Sequence, residues 1–363
     1  MALKVRPGIT DIKPYVGGLS KTGDKVREVI KLSSNENALG ASPKAIEAYK
    51  KAAERLHRYP DGGSEALRNA IGEVYGFAPS RIVCGAGSDE LIALLCAAYA
   101  GVGDEILYPE YGFLMYPISA KRVGATPVTA KEKNLRTDVD ALLAAVTERT
   151  KIVFFANPNN PTGSYISKDE VRRLRAGLPE HVLLVIDAAY AEYVEESAYD
   201  SGAALVDAGD NTVMLRTFSK IYGLASLRLG WVYCPEPIAD ILNRVRGPFN
   251  VSGAAQEAGV AAIRDTEFTE RSRAHNTRQL AYLTQSIRAL GITVYPAVAN
   301  FLLLEFPKEA GKDAEGANKF LMEQGIIPRA VASYGLGHCL RITVGTEKEN
   351  QAVVKALEGF KKA

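Results

Sequence analysis

Apolar residues along this chain fall into short unbroken runs separated by stretches of helical spacing. Lys151–Ala156, Val182–Ile186 and Val213–Leu215 are such runs. They read as strands buried on both faces, and strands that alternate with helices imply a parallel sheet. Upstream, Arg81–Gly87 is a strand entering a glycine turn, and Ser88-Asp89-Glu90 opens an apolar helix that runs to about Tyr99. Ser88 is the expected N-cap of that helix and Gly101 its expected C′ residue. Glu105–Tyr108 is the next strand.

The same pattern divides the chain. Residues 1–30, with Pro7, Pro14 and Gly17-Gly18, read as an extended arm and part of a smaller unit, and residues 31–245 carry the alternating pattern of a large domain. Beyond Gly247-Pro248 the order changes: helices through Gln256–Ile263 and Arg278–Leu290 precede strands at Val294-Tyr295, Asn300–Leu304, Ile326-Ile327 and Leu340–Val344. Residues 246–363 are therefore expected to form a smaller α+β domain. The predicted fold class is α/β, with a mostly parallel central sheet flanked by helices and this second domain packed on it.

Three strand ends carry chemistry. In an open parallel sheet, ligands bind outside the carboxyl ends of the strands. Asn160 falls there, at the tip of the turn Asn157–Gly163 that follows one apolar run; Asp187 follows another, with Tyr190 three residues on. A carboxylate directly after five apolar residues is costly unless paired. The third end is Thr217-Phe218-Ser219-Lys220, with Arg228 beyond it. A lysine held at a sheet end beside a second cation loses affinity for its proton and can become the neutral amine that condenses with a carbonyl. Alone, the Ser219-Lys220 pair reads better as an ordinary solvated lysine. Pyridoxal 5'-phosphate requires the whole set: a lysine for its Schiff base, an acid for the ring nitrogen, donors to the phenolic oxygen and a phosphate cradle. Lys220, Asp187, and Asn160 with Tyr190 supply the first three, while Thr217, Ser219 and Arg228 suit phosphate oxygens. Gly87, Ser88 and Asp89, at a helix start, offer free amides and a positive dipole end, although Ser88 serves equally well as a plain cap on these grounds.

On Asn160-Pro161-Thr162-Gly163, Asp187 with Tyr190, Ser219-Lys220 and Arg228, in this order and spacing, the chain resembles the fold-type I pyridoxal-phosphate aminotransferases. The resemblance favours phosphate binding at Gly87, Ser88 and Asp89. It implies that Tyr111 lies flat on the cofactor ring and that Lys220, Asp187 and Tyr190 carry the catalysis. It also implies that Arg341, set in the apolar run Cys339–Val344, grips a substrate anion. A guanidinium in such a strand needs an anionic partner in any case, and a structural acid is the plainer alternative. Arg329 is a second cation nearby, preceded by Pro328 where a residue such as valine is expected, which leaves its aim open. From Leu32–Asn37 through Arg58–Gly62 to Cys339–Thr346, the chain is similar to the histidinol-phosphate branch of this family. That likeness implies transfer of an amino group between L-histidinol phosphate and 2-oxoglutarate, giving imidazole-acetol phosphate and glutamate in histidine biosynthesis. It further implies substrate contacts from Tyr15, Arg329 and Arg341, a homodimer, and a phosphate contact from Tyr59 of a partner subunit. An aromatic-amino-acid aminotransferase is the nearest rival; a decarboxylase or lyase of the same fold is a more distant one, and a non-enzymatic cofactor-binding regulator more distant still.

Composition narrows the surroundings. With 363 residues, 47% hydrophobic and 24% charged, two domains with ample core are expected, and interspersed charges at a net +2 give no reason to expect a nucleic-acid partner. No apolar run approaches the roughly 18 residues of a membrane span. Met1-Ala2-Leu3-Lys4 lacks the pattern of a secretory leader, so a cytoplasmic location is expected. Cys84, Cys96, Cys234 and Cys339 are widely separated and read as reduced core thiols, and the four histidines are equally scattered, so no metal site is expected.

Overall fold

The computed structural model describes residues 3–21 and 29–362. Part of the expected arm, residues 22–28, lies outside them, as do Met1 and Ala2 of the leader reading. The rest of the arm, residues 3–21, is irregular and extended, and it lies across the large lobe, where Lys121 Nζ donates to the Asp11 carbonyl at 3.2 Å.

Seven strands form the central sheet: β1 (Ile82–Gly85), β2 (Glu105–Pro109), β3 (Thr126–Ala130), β4 (Thr150–Ala156), β5 (Leu183–Asp187), β6 (Thr212–Thr217) and β7 (Gly230–Tyr233), in spatial order β1-β7-β6-β5-β4-β2-β3. Only β7 runs antiparallel to its neighbours. β4, β5 and β6 are fully or almost fully buried, which is why their sequences read as apolar runs without alternation. Their parallel register puts the turns after Ala156, Asp187 and Thr217 at one edge of the sheet.

Local chemistry sets the helices. Ser167 and Glu170 form a capping box at the start of Lys168–Gly177, and the Ser252 hydroxyl caps Gly253–Arg264. The helix Ser88–Tyr99 starts differently from expectation. Gly87, at φ 91°, occupies the cap position and Ser88 is the first helical residue with no capping bond, which leaves its hydroxyl free. At the other end Ala100 is extended and Gly101 is not in the left-handed region, so no glycine cap closes the helix; the Gly101 N–H donates to Asp104 Oδ2 at 2.9 Å.

The second lobe has a four-stranded antiparallel sheet of Thr293–Val294, Phe301–Glu305, Cys339–Thr343 and Arg329–Ala330. Ile30–Lys31 pairs in parallel with Ile326–Ile327, and Leu32 joins this lobe's core, so the chain enters the small lobe before building the large one. Packing changes later than residue 246. The helix Gly253–Arg264 lies on Pro43–Ala52 and Glu65–Tyr75, and its Ala255, Ala258 and Ile263 share a core with Leu67, Ile71 and Trp231 of the large lobe. Small residues permit this: a Cβ on Gly259 would meet Leu229 at 2.5 Å. The second lobe's core instead takes Leu283 and Ile287, from the far half of the helix Thr266–Ala289.

Next to the ligand-bearing end of β6, on the strand face opposite that of Thr217, Arg216 and Glu192 form a buried ion pair, with Nη2 at 2.9 Å and Nε at 3.1 Å from Glu192 Oε1. Tyr75 adds a hydroxyl at 2.9 Å from Arg216 Nη2 and an aromatic face under the guanidinium. Arg216→Met strands a buried carboxylate and is expected to cost about 3–5 kcal/mol in urea unfolding, most of it recovered by adding Glu192→Leu. An unchanged unfolding midpoint in the single variant would refute this account of the core.

Candidate active site

The sheet edge described above opens into a cavity of about 360 Å³ between the lobes. Lys220 Nζ lies there, 3.2 Å from the Ser34 carbonyl and 5.7 Å from the centre of the Tyr190 ring. Burial, and then the charge of Arg341, pull its pKa down from 10.5 to about 8. Asp187 ends β5 with its carboxylate buried. Desolvation pushes its pKa up to about 6, against the Tyr116 hydroxyl, which donates to Oδ2 at 2.9 Å. Among the described residues its other oxygen, Oδ1, is buried without a hydrogen-bond partner. A buried acceptor left bare is costly, and it fits a ligand N–H, best a cationic one.

Around this pair stand the hydrogen-bonding groups. Tyr190 OH accepts from Asn35 Nδ2 at 2.8 Å, and burial raises its pKa well above the usual phenol range. Asn160 Oδ1 accepts from Arg341 Nη1, which leaves the Asn160 amide NH₂ for a ligand. Ser88, Asp89, Thr217, Ser219 and Arg228 close one end of the cavity. Arg228, at φ 51°, donates to Asp89 Oδ1 at 2.5 Å and to Ser219 Oγ at 3.4 Å. A Cβ on Gly87 would sit 2.4 Å from Arg228 Nη2, so only glycine lets the arginine reach over the helix start. Hydroxyls, the Ser88 and Asp89 amides of a helix start and one guanidinium at this end are groups of the kind that suit a phosphate, while the Gly87 N–H is taken by the Gly85 carbonyl at 2.8 Å.

The other end is cationic. Arg329 and Arg341 are directly opposite on neighbouring strands, so their side chains share one face of the small sheet. Arg341 is buried; its Nη2 donates to the Ser33 carbonyl at 2.9 Å, its guanidinium lies over Phe301, and Nε has no hydrogen-bond partner among the described residues. Desolvation, the largest cause, lowers its pKa. Arg329 donates to the Val16 carbonyl of the arm at 2.7 Å. Like charges opposed across strands repel, and among the described residues the hydrogen bonds and ion pairs of these two arginines involve no carboxylate. The arrangement suits a doubly charged anion.

Most of the expected site residues meet here, including Tyr15, which is half-exposed beside Phe113. Tyr111 and Tyr59 do not line this cavity. Tyr111 packs on Leu336 and Cys339 of the small lobe, with its N–H on Glu132, while Phe113, two residues on, reaches the cavity. Tyr59 is 83% exposed and stacks on Phe249 instead. Sequence reasoning also missed Asn35, Tyr116 and Tyr334. Asn35, at φ 57°, bridges Tyr190 and Thr343, and the sequence signal for it is an Asn before an acid in a polar stretch.

Residues 27–357 match the family described as aminotransferase class I and II. Over 355 residues the chain is 61% identical to the histidinol-phosphate aminotransferase of Paramagnetospirillum magneticum, covering 98% of both proteins. It is 57% identical to that of Rhodospirillum centenum, over 97% of this chain and 96% of the relative. Among solved structures, histidinol-phosphate aminotransferase from Sinorhizobium meliloti in complex with pyridoxal-5'-phosphate aligns with a TM-score of 0.89 at 26% identity, over 99% of this chain and 98% of that one.

The lysine's displacement makes a stability prediction. Between about pH 8 and 10.5 the folded, cofactor-free protein holds fewer protons on Lys220 than the unfolded chain does, so this group's contribution to stability rises with pH across that window. Lys220→Met is expected to raise the melting temperature most below pH 8, with the gap to the parent closing as pH approaches 10.5. A gap independent of pH would contradict a displaced lysine.

Proposed function

The chain belongs to the aminotransferase class I and II family, and on that premise we propose that it transfers an amino group from L-histidinol phosphate to 2-oxoglutarate. The products are imidazole-acetol phosphate and L-glutamate, a step of histidine biosynthesis, with pyridoxal 5'-phosphate as cofactor. The observation that carries this reading is likeness over nearly the whole length to histidinol-phosphate aminotransferases at 61% and 57% identity. The acid-free arginine pair supports it, because phosphate and dicarboxylate substrates both bring double negative charge.

The residues fit the cofactor. Lys220 would hold it covalently, the bare Oδ1 of Asp187 would meet its ring nitrogen, and the free amide of Asn160 with the Tyr190 hydroxyl would meet its phenolic oxygen. Thr217, Ser219, Arg228 and the amides at Ser88 and Asp89 would take its phosphate, whereas the Gly87 N–H, expected to join them, already donates to the Gly85 carbonyl at 2.8 Å. Phe113, in place of Tyr111, is the aromatic residue available to its ring. When bound, pyridoxal phosphate supplies a sink for the electrons of the bond broken at the amino-bearing carbon. Asp187 holds a proton on the ring nitrogen, and Tyr116 keeps that carboxylate aimed. Once the substrate amine has displaced it, Lys220 Nζ, with its depressed proton affinity, would take the proton from the amino-bearing carbon and return it two atoms further on, beyond the nitrogen. Arg341 and Arg329 fix the far end of either substrate, and the arm residue Tyr15 covers it.

A homodimer in the cytoplasm completes the reading. Tyr59 does not line its own chain's cavity and is exposed, as a residue serving a second copy would be. No described helix is long and apolar enough to cross a membrane.

Steady-state assays with a panel of donors test the function. The expected result is efficient turnover of histidinol phosphate, with phenylalanine and tyrosine much poorer; the reverse order would favour the aromatic-amino-acid reading. Lys220→Ala is expected to cost at least about 10³-fold in kcat. Asp187→Ala should lower kcat far more than cofactor occupancy, and full activity with bound cofactor would refute its role.

A further inference from the structure

The segment Ser33–Asn37 crosses the cavity with its backbone and nearly all its side chains already committed. Arg341 holds the Ser33 carbonyl and Lys220 the Ser34 carbonyl. Asn35, in the left-handed region, is tied by side chain to Tyr190 and Thr343 and by its carbonyl to Asn300. The Glu36 carbonyl takes a second bond from Asn300, and Asn37 Nδ2 donates to Ile221 and Ser272. Glu36 is therefore pinned at its backbone and lines the cavity. Among the described residues its carboxylate pairs with Lys31 Nζ, at 2.6 Å, through side chains that are 29% and 44% exposed. Pairs this exposed add little stability.

The other carboxylates of the cavity have their places: Asp89 pairs with Arg228 at the end lined by Thr217 and Ser219, and Asp187 accepts from Tyr116 at the end of β5. Glu36 is the cavity carboxylate at neither place, and its charge acts on Lys220, raising the lysine's proton affinity. We propose that Glu36 is a specificity residue, whose carboxylate accepts the ring N–H of an imidazole-bearing donor. This inference rests on the proposed function and deepens it. At neutral pH an imidazole offers one N–H, a benzene ring none, and a site that presents an acceptor to a substrate N–H disfavours the analogue without it.

The probes are L-histidinol phosphate and phenylalaninol phosphate, which share amine and phosphate and differ at the ring. Both are measured by kcat/KM with the cofactor-loaded enzyme and by calorimetric affinity with the loaded Lys220→Ala protein. Glu36→Met is expected to weaken histidinol phosphate about 10- to 100-fold in both measures and to leave phenylalaninol phosphate unchanged. Glu36→Gln, an acceptor without charge, should fall between. Lys31→Met removes the same ion pair but keeps the carboxylate, and the preference for imidazole should survive it. If Glu36→Met weakens both phosphates alike, or if Lys31→Met erases the preference equally, the pair is structural and the inference fails. If the parent enzyme neither binds nor uses histidinol phosphate, the proposed function falls first, and this inference with it.

Discussion

An amine and a carboxylate kept from water at one edge of a parallel sheet are the constraint on which this molecule turns. Lys220 is pulled toward neutrality and Asp187 toward its protonated form, and the first cause in both is burial. Each group is left wanting a specific partner: the amine an electrophilic carbon, the bare Oδ1 a cationic N–H. A pyridine aldehyde satisfies both at once. The fold maintains this tension because β5 and β6 are buried strands whose parallel register brings their ends together, and Tyr116 restrains the carboxylate from below.

Both lobes contribute to the walls. The large lobe supplies Thr217, Ser219 and Arg228 at one end and the two ionisable groups, whereas the small lobe supplies the facing arginines. Residues 33–37 join them: Asn35 ties Tyr190 of the first lobe to Thr343 of the second, and Arg341 reaches Asn160 across the gap. Arg341 and Asn35 thus hold Asn160 and Tyr190 through hydrogen bonds that cross from one lobe to the other. A single polar chain links the anion end of the cavity to its chemical end.

Much of this was legible beforehand because buried strands leave short apolar runs, and whatever polar residue follows them lands at the ligand edge. Asn160, Asp187 and Lys220 were found in that way, and Arg341 stood out as a charge inside an apolar strand. What escaped notice depended on details of packing. Tyr111 and Phe113 are both aromatic and two residues apart in one loop, and only the way the loop leans on Leu336 and Cys339 decides which enters the cavity. The helix Gly253–Arg264 follows a break in pattern, yet its small residues seat it on the large lobe. Ser88 resembles a cap until Gly87 takes the left-handed cap position. Asn35 and Tyr116 act through contacts made across long separations in the chain, which no local pattern records.

The central claim is that Lys220 is the amine that holds the cofactor. Reducing the pyridoxal-phosphate-loaded protein with borohydride, digesting it and sequencing the modified peptide by mass spectrometry tests that claim most directly. A single stable adduct on the lysine that follows Thr217-Phe218-Ser219 is the predicted result. Stoichiometric modification at any other lysine, with Lys220 left free, would contradict the account.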